Sequence, residues 1–125
     1  MGAVHVTVTL TSLAPSGGVY GALFLVDTGS TDCMAPASEL ARIGIEPAGK
    51  MGYELADGSV REWEFGGARI EFFGNITWGR VVFGPEGSEP ILGVTALESV
   101  GIVVDPVTRT LRQLPAIPMK SAKPL

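Results

Sequence analysis

The 125-residue sequence holds one cysteine, one histidine and only nine Lys plus Arg residues. A single cysteine cannot close an internal disulfide, so nothing in the chain calls for an oxidising compartment. One cysteine and one histidine are too few for a structural zinc site, and no metal or organic cofactor is expected. Nine basic residues against thirteen acidic ones leave a formal net charge of −4, which argues against gripping nucleic acid through its phosphates. Long apolar runs are missing as well. None nears the roughly 18 residues a membrane-spanning helix needs, so no membrane partner is expected. The opening residues, Met1-Gly2-Ala3-Val4-His5, lack a basic start followed by an unbroken apolar stretch. A secretory signal is therefore not expected, and cytoplasmic residence is the default expectation.

What is present points to a folded domain. Hydrophobic residues make up 46% of the chain, enough to exclude disorder. The length suits one domain that buries roughly 65% of its unfolded surface. Seventeen glycines and nine prolines foretell many tight turns. Residues 115–125 carry three prolines, two lysines and little apolar pattern. They are set apart as a tail from a domain of residues 1–114.

Along the chain, Val4, Val6, Val8 and Leu10 alternate with His5, Thr7 and Thr9, a strand with one buried face. After a turn at Pro15-Ser16-Gly17-Gly18, the segment from Val19 to Val26 is almost wholly apolar. It reads as a strand covered on both sides. Pro36 to Ile43 reads as a short helix stopped by Gly44, with Ile45 packing back. Gly52 to Phe65 reads as a hairpin with Asp57-Gly58 as a two-residue type I′ turn. That register sets Leu55 opposite Val60 and Glu54 opposite Arg61. Ala68 to Phe73 and Ile76 to Phe83 are two further strands around Gly74-Asn75. Ile91-Leu92-Gly93 leads into a second short helix, Thr95 to Val100, again stopped by Gly101 and Ile102. A last hairpin joins Ile102–Val104 to Thr110–Leu114 around Asp105-Pro106-Val107-Thr108. A strand, a glycine turn, a short helix and a Gly-Ile stop thus occur twice. This reads either as shared helix-stop grammar or as pseudo-symmetry within one lobe.

The chemistry concentrates at Asp27-Thr28-Gly29-Ser30. A carboxylate directly after Leu23-Phe24-Leu25-Val26 is costly unless hydrogen-bonded or paired. Gly29 permits a sharp turn that aims backbone N–H groups at it, and Thr28 and Ser30 add hydroxyls. The bland alternative is an ordinary turn, since all these residue types favour turns.

In context these residues resemble the retropepsin-like aspartic proteases in their small bacterial and archaeal single-lobe form. The resemblance rests on Leu25-Val26-Asp27-Thr28-Gly29-Ser30-Thr31, on the hairpin Tyr53-Glu54-Leu55-Ala56-Asp57-Gly58-Ser59-Val60, on Ile91-Leu92-Gly93, and on Val103-Val104-Asp105-Pro106. It covers Val4 to Leu114 in order. It implies an all-β fold, a retropepsin-like acid-protease barrel or sandwich with one or two short helices and one lobe per chain. It also implies an aspartic-type endopeptidase in which two aspartates hold one water. With a single Asp-Thr-Gly, the second aspartate must come from a second chain, so a homodimer acting on a peptide or protein is implied. By the same resemblance Asp27 is catalytic, and Thr28 locks the two active-site loops across the two-fold. Gly29 presents backbone to the substrate, and Ser30 reaches the Asp27 carboxylate. Leu55, Ala56, Asp57, Gly58, Ser59 and Val60 form a flap over the substrate, while Ile91, Leu92 and Gly93 support the loop. The alternative is the same fold kept as a protein- or peptide-binding module with little hydrolysis.

Other residues have plainer readings. Asp32 reads as a loop or helix-cap residue, with contact to substrate backbone as the sharper option. Cys33 reads as a small buried hydrophobe, His5 as a plain strand histidine, and Trp63 and Trp78 as packing residues.

Overall fold

In the computed structural model, which describes residues 3–124, the period-two pattern at the start becomes strand β1 (His5–Ser12), with Val8, Leu10 and Ser12 buried and His5 and Thr7 outside. Its neighbours are β2 (Val19–Asp27), β3 (Cys33–Pro36), β4 (Gly49–Glu54), β5 (Val60–Phe72), β6 (Asn75–Gly84) and β7 (Ile91–Gly93). The order β1-β2-β7-β3-β6-β5 returns to β1 through antiparallel pairs from Val8–Phe72 to Ser12–Ala68. The result is a closed six-stranded barrel. Among the described residues, strand β4 pairs only with the first half of β5 and stands outside the closed ring. Strands β8 (Ile102–Asp105) and β9 (Thr110–Gln113) form a separate hairpin. Two short helices, α1 (Ala37–Arg42) and α2 (Val94–Ser99), complete the elements; neither is long and apolar enough to cross a membrane.

Closure lets inward side chains fill the barrel. Phe24, Phe72, Leu10, Ile70, Val81 and Leu92 pack there with Leu40 and Leu97 from the helices, all at most 2% exposed. Each such side chain contributes about 1.5–3 kcal/mol by leaving water. Both helices stop as their Gly-Ile signatures require. Gly44 (φ +90°) donates to the Ala41 carbonyl and Ile45 to that of Leu40, and Gly101 (φ +71°) donates to Glu98.

Three local expectations are corrected. Strand β2 is not covered on both sides: Phe24 is fully buried, but Leu23 is 58% and Val19 55% exposed. A barrel strand has an inner and an outer face, and an apolar run cannot say what lies outside. Strand β5 does not break at Gly66-Gly67 but runs unbroken to Phe72. Glycine there serves close approach, since a Cβ on Gly66 would lie 2.7 Å from both Glu46 O and Ile45 Cγ2.

The third correction is the turn of the β4–β5 hairpin. Gly58 has φ +84°, but Asp57 keeps a negative φ, so the turn is not type I′. Gly58 N–H donates to Leu55 O (2.9 Å) and Leu55 N–H to Ser59 O (2.8 Å), which makes a three-residue loop. The Asp57 carboxylate accepts both the N–H (2.9 Å) and the hydroxyl (2.6 Å) of Ser59, which ties Asp57 into this turn. The register moves by one: Tyr53 faces Arg61 and Glu54 faces Val60, so Leu55 is not opposite Val60. Two successive positive φ values occur instead at Phe73 (+50°) and Gly74 (+74°), in the tight β5–β6 turn.

Candidate active site

Strand β2 ends at Asp27, and the chain then turns sharply, with Ser30 N–H donating to Asp27 O at 3.1 Å. The turn brings Gly29 N–H to 3.0 Å from Asp27 Oδ1 and Ser30 Oγ to 2.8 Å from Oδ2, both as donors. Each carboxylate oxygen is thereby held by a separate donor, and the group is half-buried. Thr28 is exposed beside it.

Strand β7 lies parallel to β2 with Leu25 beside Ile91, Val26 beside Leu92 and Asp27 beside Gly93. The two copies of the sequence repeat are thus neighbours in space. Leu92 and Gly93 are buried beneath the loop. Immediately after them, the first N–H groups of α2 donate to the loop: Val94 N–H to Ser30 O (2.7 Å) and Thr95 N–H to Thr31 O (3.1 Å). Free N–H groups at the start of a helix thus satisfy carbonyls that a tight turn would leave unpaired.

A cleft of about 790 Å³ opens in front of Asp27. Gly29, Ser30, Asp32, Met34, Val82 and Ile91 line its barrel side, and Met51, Tyr53, Leu55, Ala56 and Trp63 line its hairpin side. Of the expected site residues, Asp27, Gly29, Ser30, Leu55, Ala56 and Ile91 meet on this cleft. Thr28 does not line it, and Leu92 and Gly93 sit under it. Asp57, Gly58, Ser59 and Val60 form the exposed hairpin tip away from its lining.

Sequence reasoning missed a second cluster on the same cleft. The Asp32 side chain is only 5% exposed. Its Oδ2 accepts from the Tyr53 hydroxyl at 2.8 Å and lies 3.3 Å from Arg80 Nε. Asp32 caps no helix: α1 follows Pro36 with no side-chain cap bond. Burial, chiefly, and then the bond to the Asp32 carboxylate push the Tyr53 phenol up to about 12, so it remains a donor. The rings of Tyr53 and Trp63 lie 6.3 Å apart. No local pattern announces a bond between residues 21 apart. The one available sign was a polar Asp32 close to the motif.

The remaining singled-out residues are quieter. Cys33 is buried, and desolvation pushes its thiol up to about 11, which leaves it unreactive. His5 Nε2 meets Glu89 Oε1 at 2.5 Å on the surface. Trp78 is 64% exposed and not a core-packing residue. Among the described residues, no group of three or more His, Cys, Asp or Glu side chains is placed to hold a metal ion.

Comparison with known proteins bears on this geometry. A family model described as aspartyl protease matches residues 14–96, a span that holds the Asp27 loop, the β4–β5 hairpin and β7. Among solved structures, the chain is similar to the retroviral protease-like domain of Ddi1 from Leishmania major. The match has 15% identity and a TM-score of 0.58, and it covers 98% of this chain and 99% of that one. At that identity the likeness is one of fold, the retropepsin-like fold. No curated protein matches the chain.

Proposed function

The chain belongs to the aspartyl protease family and has the retropepsin-like fold, and from that premise we propose that it is an aspartic-type endopeptidase active as a homodimer. The observation that carries the reading is the Asp27 carboxylate, held by Gly29 and Ser30 at the mouth of a peptide-sized cleft. One chain offers one such carboxylate. A two-fold axis beside Asp27 would bring a second, giving an isologous dimer.

Two carboxylates in close contact share one proton rather than both ionising. The ionised member takes a proton from the water between them, and the water oxygen attacks the scissile carbonyl carbon. The protonated member donates to the carbonyl oxygen as it gains charge. Collapse of the tetrahedral intermediate breaks the C–N bond, and the amine leaves with a proton returned by the dyad. The hydrogen bonds from Gly29 and Ser30 fix where the carboxylate points, which is the protein's main contribution to the step.

The cleft supports a peptide substrate. Among the described residues, strand β4 is the last strand of its sheet, paired on one side only, and its residues 51–54 line the cleft. An extended peptide could add to that edge through backbone bonds. The apolar side chains of Met34, Met51, Val82 and Ile91 would take alternate side chains.

Digestion of a peptide library by the wild-type chain and by Asp27→Asn tests the reading. Cleavage by the first and none by the second is expected. Equal cleavage by both would exclude this mechanism, and tight binding without cleavage would favour a peptide-binding module.

A further inference from the structure

Three parts of the molecule converge on a carboxylate that the proposed reaction does not use. Asp32 lies in the loop between Asp27 and β3, almost wholly buried. A buried carboxylate is costly unless paired and hydrogen-bonded. Here its Oδ2 takes the Tyr53 hydroxyl at 2.8 Å and faces Arg80 Nε at 3.3 Å. The Arg80 guanidinium also stands over the Phe65 ring, 5.2 Å from its centroid. Its Nη1 lies 3.5 Å from the Met51 sulfur.

The partners divide cleanly. Asp32 and Arg80 belong to the active-site loop and β6, whereas Met51, Tyr53 and Phe65 belong to the β4–β5 hairpin. The hairpin is otherwise an outlier, since among the described residues β4 pairs with β5 alone. Past Tyr53, the bonds at the tip are internal: Leu55 to Ser59, Gly58 to Leu55 and Ser59 to Asp57. Held stem and self-contained tip meet at the Tyr53–Asp32 bond.

We propose that Asp32 and Arg80 are positioning residues that set the hairpin over the cleft, the Tyr53–Asp32 hydrogen bond being the tie that holds the stem and beyond which the tip opens and closes. The role of this tie in catalysis rests on the peptidase reading; the tie itself can be measured without any substrate. Because Tyr53 stays a donor to high pH, the tie holds across the neutral range. Through it the loop that carries Asp27 and the wall facing it become one unit, so a lost hydroxyl on the hairpin would be felt in substrate binding.

Hydrogen–deuterium exchange on the full chain, read by mass spectrometry, compares the wild type with Tyr53→Phe and Asp32→Asn. Removing a hydrogen bond to a charged group should raise local opening about ten-fold or more. In Tyr53→Phe, amides of residues 49–64 should exchange faster by that factor, while those of β1 keep wild-type rates. Asp32→Asn, which also loses the charge that Arg80 faces, should accelerate the same amides. With a cleavable peptide, Tyr53→Phe should raise KM by more than it lowers kcat. Unchanged hairpin exchange in Tyr53→Phe would overturn the proposal. So would equal acceleration in β1, which would make the bond a prop of the whole barrel. Faster hairpin exchange in a protein that cleaves no peptide would support the tie and overturn the peptidase reading alone.

Discussion

Gly93 stands level with Asp27 in the parallel β2–β7 ladder, and a methyl group on it would come within 2.5 Å of the Asp32 carbonyl oxygen and 2.8 Å of that of Thr31. Strand β7 can approach the active-site loop only because position 93 has no side chain. Gly93→Ala should therefore push the loop away from β7 and strain the bonds from Val94 and Thr95. A loss of about 1–3 kcal/mol is expected, in line with overpacked interiors. Thermal denaturation of the variant measures it, and a melting temperature equal to wild type would contradict the close packing.

Ser30 donates to Asp27 Oδ2 from within the same turn. Ser30→Ala leaves Oδ1 held by Gly29 N–H and Oδ2 without that donor. The backbone of the turn, set by Ser30 N–H on Asp27 O, stays. A fall of about ten-fold in kcat/KM is expected, the usual weight of one hydrogen bond to a charged group. The melting temperature should change little. Kinetics and melting on one preparation separate the two effects.

The hairpin tip should respond to acid. Bonds from the Ser59 hydroxyl and then its N–H hold the Asp57 carboxyl below its usual value of 3.8. A lowered folded value means the bonds are at full strength above pH 3.8 and are lost as pH falls through the lowered value. Exchange at the Ser59 amide, corrected for its intrinsic pH dependence, should rise over that window. Ser59→Ala should move the Asp57 titration, followed by NMR, back toward 3.8.

Gly58 has open space around it, with nothing within 4 Å of where a methyl group would sit, but its φ of +84° strains any other residue. Gly58→Val should thus strain the turn, and the exposed tip relieves that strain by opening locally without loosening the barrel. With few buried contacts at the tip, the melting temperature should hardly move while kcat/KM falls. A normal rate in the folded variant would remove the tip from the substrate-handling part of the molecule.

How far the sequence spoke for itself depended on the range of the physics. Period-two alternation in β1 and the Gly-Ile stops at 44–45 and 101–102 are local signals, and each became the expected element. Asp27-Thr28-Gly29-Ser30 is local too, since Gly29 and Ser30 reach the carboxylate within the turn itself. The hairpin turn differs from its expected register by one residue because Asp-Gly suits both a two-residue and a three-residue loop, and the Ser59 bonds to Asp57 accompany the longer one. Gly66 looks like a break in the sequence because its tight neighbours, Ile45 and Glu46, come from a distant segment. The Asp32–Tyr53–Arg80 cluster is invisible there for the same reason: only the β3–β6, β6–β5 and β5–β4 pairings of distant segments bring the three together.

The central claim is that two Asp27 side chains, one from each chain of a dimer, make one catalytic site. Equimolar wild-type and Asp27→Asn chains, unfolded together and refolded as mixed dimers, test it most directly. If both carboxylates are required, only dimers of two wild-type chains cleave. Activity per total chain should then fall to roughly one quarter of the pure wild-type value, as random pairing in a two-fold dimer dictates. A fall to only about one half would mean that each chain cleaves with its own Asp27 alone, and would contradict the account.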